Sequence, residues 1–365
     1  MKTEVLNNSQ QNMLKVVGAL QNDELVALPT ETVYGLAGRT FSEAALEKIF
    51  LAKERPLFDP LICHFPKQMN ESPWRSLLKT GLIDTSKISV SIQQKVENLA
   101  NQFWPGPLTL VLPKSTRVPD LATSGLPSVG VRCPAHPLFQ EVLLKLQEPL
   151  SAPSANRFGK ISPTRANDVF DELDTRIPFI LDGGACSIGV ESTIIGLEDD
   201  QFVVFRPGGL ALEDIEKALG STLKTRLHSE NPVAPGMLKN HYAPTKPFYL
   251  FEGTIETLDP KILADMQEKM ARGKKMALLL ARGKTERVPL ALKNEAQVLI
   301  RVLSPQGSSQ EAAKNLFRYL REIDQMNIDF IVAEQWPYTE VLGFALRDRM
   351  NRAAEKLEKS EKTTP

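Results

Sequence analysis

Across residues 1–222, short apolar runs alternate with amphipathic stretches. Residues 25–29, 61–65, 108–112, 128–132, 178–182, 192–197 and 202–206 have strand length and β-branched or aliphatic content, which predicts strands. Between them, residues 43–52, 92–104, 137–147, 163–173 and 212–219 repeat apolar side chains near a 3.6-residue spacing, which predicts helices. Ser162 followed by Pro163 reads as an N-cap with proline in the first turn of the fourth helix. Strands alternating with helices predict an α/β or α+β domain built on a mixed sheet.

From Gly220 to Pro247 the periodicity disappears. Pro232, Pro235, Pro244 and Pro247 fall here, with Ala-Pro-Gly-Met at 234–237 and His-Tyr-Ala-Pro at 241–244, so residues 223–246 read as an interdomain linker. Pattern then resumes, with strands expected at 248–251, 276–281, 296–299 and 330–333 and helices at 262–271, 310–326 and 344–357. This gives a smaller α/β domain over 247–365, ending in a charged, frayed tail. A chain of 365 residues exceeds the size at which one core keeps growing, which also favours two domains.

Composition narrows the class. With 42% apolar and 24% charged residues, the chain is neither collagen, coiled coil nor disordered tail. No apolar run reaches the roughly 18–20 residues of a membrane span, and the start, Met-Lys-Thr-Glu-Val-Leu, lacks the apolar core of a secretory signal. Cys63, Cys133 and Cys186 are too widely spaced for a zinc pair or a disulfide framework, which suits the cytoplasm. Net charge is zero, divided as 21 basic and 26 acidic residues (−5) in 1–222, against 23 and 18 (+5) in 223–365. Neither half is basic enough for a dedicated nucleic-acid surface, so any RNA contact is weak and local.

Several motifs can be set aside. Gly283-Lys284-Thr285 ends like a Walker A loop, but Leu278 stands where its first glycine must be. His136 with Cys133 is an isolated CxxH without a second pair. The cations are more informative. Lys53 and Arg55 follow an amphipathic stretch, Arg132 ends the run Ser-Val-Gly-Val-Arg, and Arg206 ends Val-Val-Phe-Arg. Strand ends are where α/β sheets place ligands, and guanidinium grips phosphate or carboxylate in a fixed plane. Any one of these arginines alone reads more readily as a solvated surface charge or a local ion pair. Neutral donors come from Ser-Ala-Pro-Ser-Ala-Asn at 151–156 and from Glu-Ser-Thr at 191–193, behind a glycine-rich loop. In Pro-Thr-Glu-Thr-Val-Tyr-Gly-Leu at 29–36, Thr30 or Thr32 is equally a helix cap or a ligand group.

Taken in order, these segments resemble the YrdC-type threonylcarbamoyl-AMP synthases. To 29–36 and 151–156 are added Lys-Glu-Arg-Pro at 53–56, Pro-Leu-Ile-Cys-His at 60–64, Trp-Pro-Gly-Pro-Leu-Thr at 104–109 and Val-Arg-Cys-Pro-Ala-His-Pro at 131–137. Gly-Val-Glu-Ser-Thr-Ile at 189–194 and Arg-Pro-Gly at 206–208 complete the set. The linker motifs and trailing domain resemble the long, two-domain form of that family. The resemblance implies a twisted mixed-sheet YrdC-like domain, a Rossmann-like second domain, and condensation of L-threonine, bicarbonate and ATP to L-threonylcarbamoyl-AMP. It also implies transfer of the product to a separate tRNA threonylcarbamoyl transferase.

By the same resemblance, Lys53 and Arg55 neutralise the triphosphate, with Mg²⁺ bridging phosphate oxygens. Asp59, Ser128, Ser154, Ser162, Arg206 and Tyr242 attend the nucleotide, and Thr32, His64, Arg132, Ala152 and Ser192 form the threonine pocket. Asp59 departs from relatives that carry Asn, and an acid there either repels phosphate or binds Mg²⁺. Two other readings are an RNA-binding protein and a carbamoyl transferase of the hydrogenase-maturation type. The charge balance weighs against the first, and the missing acylphosphatase-like and zinc-finger regions against the second.

Overall fold

The computed structural model describes residues 2–227, 232–237, 242–293, 296–337 and 342–354. They form two compact units, one of Met1–Phe158 with Ser162–Leu238 and one of Gly159–Ile161 with Lys239–Pro365. The first unit holds strands β1 (Glu4–Leu6), β2 (Val26–Leu28), β3 (Gly35–Arg39), β4 (Ile62–His64), β5 (Leu108–Pro113), β6 (Ser128–Arg132), β7 (Leu150–Ser151), β8 (Phe179–Leu181), β9 (Thr193–Glu198), β10 (Gln201–Arg206) and β11 (Lys224–Thr225). Its helices are α1 (Gln10–Gln21), α2 (Glu43–Lys53), α3 (Pro73–Thr80), α4 (Val90–Phe103), α5 (Asp120–Thr123), α6 (Pro137–Leu146), α7 (Ala166–Leu173) and α8 (Leu212–Leu219).

The strands join in the order β1-β8-β2-β3-β7-β4-β6-β5-β9-β10-β11, mixing parallel and antiparallel neighbours as expected. All seven segments read as strands in this part of the chain are strands. One helix boundary differs. Ser162 and Pro163 do not start α7: Pro163 passes its carbonyl to the Tyr34 amide at 2.9 Å, and Ser162 is bonded elsewhere. The helix opens at Ala166, where the Asp168 carboxylate accepts the amides of Thr164 and Arg165 at 2.8 and 2.9 Å. Helices α1, α3 and α5 and the strands β1, β3, β7 and β11 lie outside the segments singled out from the sequence.

Alternation along the strands sends side chains to two faces. On one face Ala27, Leu36, Cys63, Leu110, Val131 and Val204 form the largest core cluster, with residues from α2, α4 and α7. On the other, Val26, Leu28, Ala37 and Leu150 pack against α1 and α6. Further along that second face, Ile62, Val111, Ile194, Val203 and Phe205 are covered by Ala234 and Met237. Within the stretch that lacks periodicity, residues 232–237 are therefore packed onto the first unit, with Met237 fully buried.

The second unit is a four-stranded parallel sheet in the order β12-β15-β13-β14, from β12 (Phe248–Phe251), β13 (Met276–Arg282), β14 (Val298–Ser304) and β15 (Phe330–Glu334). Helices α9 (Pro260–Ala271), α10 (Ser309–Gln325) and α11 (Gly343–Ala354) accompany it, giving the Rossmann-like arrangement expected. The third strand runs beyond the expected 296–299, and residues 355–357, expected to close the last helix, lie outside the described residues. Among the described residues no helix is long and apolar enough to cross a membrane.

Met237→Ala empties a site under the 232–237 segment. It should lower the stability of the chain by about 2–5 kcal/mol, read from chemical denaturation; an unchanged midpoint would show that Met237 contributes nothing to that face.

Candidate active site

The second face of the sheet carries His64, Arg132 and Arg206. His64 and Arg132 are register partners at the ends of β4 and β6, so both project from the face that carries Ile62. Thr109 is partnered with Ile194 across β5 and β9 and shares that face. Arg206 reaches it by a different route. Val204 opposes Ile195 and belongs to the other face, and plain alternation would leave Arg206 there too. The register shifts between Val204 and Arg206, so that Arg206 opposes Ile194. This β-bulge turns the guanidinium toward His64's side of the sheet.

Short bonds link the members. Arg132 donates from Nη2 to Glu31 at 2.6 Å and from Nε to the Gly106 carbonyl at 3.3 Å. Thr109 Oγ1 and Ser192 Oγ are 2.8 Å apart. Arg206 donates to the Ser192 carbonyl at 3.0 and 3.1 Å, to Ser192 Oγ at 3.1 Å and to the Pro235 carbonyl at 3.3 Å. The Trp-Pro-Gly-Pro-Leu-Thr segment thus carries one contact to Arg132 and one to the Ser192–Arg206 pair. Next to Ser192, Glu191 accepts the Ser162 hydroxyl at 2.5 Å.

A second group surrounds the end of α2. Glu54 takes a left-handed conformation (φ 53°) and ends the helix, which places Lys53 and Arg55 on either side of the stop. Lys53 Nζ donates to the carbonyls of Ser154 and Asn156 and is buried. Burial, then the neighbouring Arg55 cation, pushes its ammonium well below the ordinary lysine range. Arg55 holds the turn after it, donating to the carbonyls of Asp59 and Pro60 at 3.1 and 2.9 Å and pairing with the Asp59 carboxylate at 2.8 Å. Asp59 is fully buried, which raises its carboxyl pKa, while Arg55, Lys53 and Arg206 pull it back down. Burial is the larger influence on Asp59, and its ion pair with Arg55 makes it a counter-ion to that guanidinium.

Of the residues expected to bind substrates, the structure brings His64, Arg132, Ser192 and Arg206 together on one sheet face, with Ser162 one bond away through Glu191. Thr32 lies in the β2–β3 connection, its hydroxyl 2.8 Å from that of Thr30, and no helix follows for either to cap. Ala152 donates its amide to the Ile62 carbonyl at 3.0 Å. Lys53, Arg55, Asp59 and Ser154 form the second group. Ser128 begins β6 while Arg132 ends it, so the two stand at opposite ends of one strand. Tyr242 belongs to the second unit, its ring stacked on Phe317 at 5.4 Å and beneath Arg349 at 5.1 Å. In that unit, Glu334 at the end of β15 accepts the Ile255 and Ala281 amides at 2.7 Å, donors of the kind a phosphate would need. Glu31, Thr109 and Glu191 were not singled out from the sequence; all three lie inside the quoted motifs, but their partners are remote in the chain.

A family model described as telomere recombination, for the Sua5, YciO and YrdC proteins, matches residues 18–208. A second, for the C-terminal domain of threonylcarbamoyl-AMP synthase, matches residues 210–355. Threonylcarbamoyl-AMP synthase of Pyrococcus abyssi is 36% identical over 92% of this chain and 92% of its own length. That of Bacillus subtilis is 35% identical over 96% and 95%. The crystal structure of P. abyssi Sua5 complexed with L-threonine superposes with a TM-score of 0.81 at 34% identity, covering 97% of this chain and 98% of that one.

The chain belongs to the threonylcarbamoyl-AMP synthase family.

Two features of this synthase-family site yield direct tests. A Cβ at Gly208 would lie 2.3 Å from the Glu191 carbonyl oxygen and 2.5 Å from that of Ser192. Gly208→Ala must therefore displace Ser192 and its bonds to Arg206, and should cut turnover at least about tenfold; full turnover would show that Ser192 tolerates the shift. His64 is buried, and burial, then the Arg132 charge, lowers its pKa from 6.5 to about 3. The unfolded chain binds a proton over that interval and the folded one does not. Stability from this group is complete above pH 6.5 and falls away as pH drops toward 3, by on the order of 5 kcal/mol. Urea denaturation of His64→Gln between pH 7 and pH 4 should show a shallower acid loss than the native chain; parallel curves would contradict the shift.

Proposed function

We propose that this protein condenses L-threonine, bicarbonate and ATP into L-threonylcarbamoyl-AMP and pyrophosphate, for the threonylcarbamoyl modification of adenosine in tRNA. The observation that supports it best is the hydrogen-bonded run from Glu31 through Arg132 and Gly106, and from Thr109 through Ser192 to Arg206. It sets one guanidinium suited to a carboxylate and one suited to phosphate on the same sheet face, in a chain whose relatives bear this activity by name.

The chemistry asks for positioning and charge neutralisation. The threonine amine takes up bicarbonate as a carbamate, with loss of water. A carbamate oxygen attacks the α-phosphorus of ATP, and the bond to the β-phosphate breaks as pyrophosphate leaves. In this reading Arg132 grips the threonine carboxylate as a planar fork. His64, kept neutral, is a hydrogen-bonding partner rather than a competing charge. Arg55 and Arg206 face the phosphates, with Mg²⁺ arriving on ATP as part of the substrate. Lys53 serves the nucleotide end by holding the Ser154–Asn156 backbone in place, its ammonium being committed to two carbonyls. Holding reactants in line contributes up to about 7–11 kcal/mol in favourable cases, and a buried face shelters the carbamate from protonation and loss of CO₂. The product passes to a separate transferase that acts on the tRNA.

The test is mass-spectrometric detection of threonylcarbamoyl-adenylate from ATP, Mg²⁺, bicarbonate and threonine. Pyrophosphate release should require both threonine and bicarbonate; release without them would contradict the reading. Arg132→Ala should raise the threonine KM about 10- to 150-fold, the worth of a charge-assisted hydrogen bond, with little change for ATP. Arg55→Ala should show the reverse preference. Equal losses for both substrates in either variant would remove the assignment of separate ends.

A further inference from the structure

Glu31 joins its own motif to Val-Arg-Cys-Pro-Ala-His-Pro and to a glycine-rich loop. It lies in the connection between β2 and β3, where its carbonyl accepts the Ile188 amide at 2.8 Å, tying it to the glycine-rich loop at 182–189. One carboxylate oxygen accepts Arg132 Nη2 at 2.6 Å, and the other accepts the Ala135 amide at 2.9 Å. Glu31 and Arg132 are 8% and 4% exposed, so the pair is largely removed from water. A guanidinium is planar and its donors are fixed to the plane, so two contacts set its orientation. Here these are Glu31 on Nη2 and the Gly106 carbonyl on Nε, and among the described residues no protein acceptor meets Nη1.

We propose that Glu31 is the positioning residue of the threonine end: it fixes the plane of Arg132 so that the Nη1 edge is presented to the substrate carboxylate. The proposal rests on the reading of Arg132 as the carboxylate clamp. The Ala135 contact makes the carboxylate specific. A glutamine oxygen can accept from only one of the two, so its amide NH2 must face either Arg132 or the Ala135 amide, each itself a donor. An aspartate keeps both acceptors and loses reach.

Steady-state pyrophosphate release by the full chain tests it, comparing Glu31→Gln, Glu31→Asp, Arg132→Ala and the Glu31→Gln/Arg132→Ala pair. Glu31→Gln should raise the threonine KM about tenfold with kcat and the ATP KM within about twofold, the pattern of lost substrate binding. Glu31→Asp should fall between it and the native chain. In the Arg132→Ala background Glu31→Gln should change the threonine KM by less than about twofold, because a residue acting only through Arg132 has nothing left to orient. Threonine and ATP KM rising together, or an undiminished effect without Arg132, would overturn the proposal in favour of a purely structural pair. Should Glu31→Gln fail to fold, as judged by lost ATP binding, Glu31→Asp carries the same comparison, and an unchanged threonine KM there would overturn it. If Arg132→Ala alone leaves the threonine KM unchanged, the clamp reading fails. If it raises that KM while neither Glu31 variant does, only the positioning role fails.

Discussion

A guanidinium taken out of water must be met by acceptors, or its burial is prohibitive. Arg55, Arg132 and Arg206 are each less than a tenth exposed, and the first unit is arranged around meeting that requirement. Asp59 and two carbonyls surround Arg55; Glu31 and Gly106 hold Arg132; Ser192 and Pro235 hold Arg206. The acceptors of Arg132 lie 26 and 101 residues away and those of Arg206 14 and 29, so these two cations also tie separate segments, whereas Arg55 closes its own turn.

Two consequences follow for the site's electrostatics. The chain as a whole is neutral, but positive charge is concentrated where Lys53, Arg55 and Arg206 surround the single Asp59 carboxylate. Around Arg132 charge is balanced instead, by Glu31, with a neutral His64 beside them. In the proposed reading the first field suits a polyanionic nucleotide and the second a zwitterionic amino acid. Lys53 is committed to the carbonyls that shape the Ser154–Asn156 turn.

Much of the fold was legible because strand and helix periods differ so clearly: the buried strands at 108–113 and 193–198 are nearly continuous apolar runs. Helix α1 was also readable in principle, with Met13, Val16, Val17 and Leu20 at helical spacing behind a Ser9 cap, but it lies outside the chemistry-bearing motifs. Ser162–Pro163 misled because its local signature for a helix start was outweighed by two long-range bonds, to Glu191 and from Tyr34. The bulge before Arg206 leaves no mark in composition, yet it decides which face the guanidinium meets. Glu31 was hidden for a related reason. An acid between two threonines looks like loop polarity until Arg132, 101 residues away, is placed against it. Sequence order supplied the set of residues; only the register of the strands could say that Ser128 stands at the far end from Arg132.

The most direct measurement is a crystal structure of the protein with L-threonine and a non-hydrolysable ATP analogue. It should place the threonine carboxylate within hydrogen-bonding distance of Arg132 and the analogue's phosphates beside Arg55 and Arg206, both over the sheet face that carries His64. Either ligand bound away from those guanidinium groups, or the two on different faces of the sheet, would contradict the idea that one face holds both substrates.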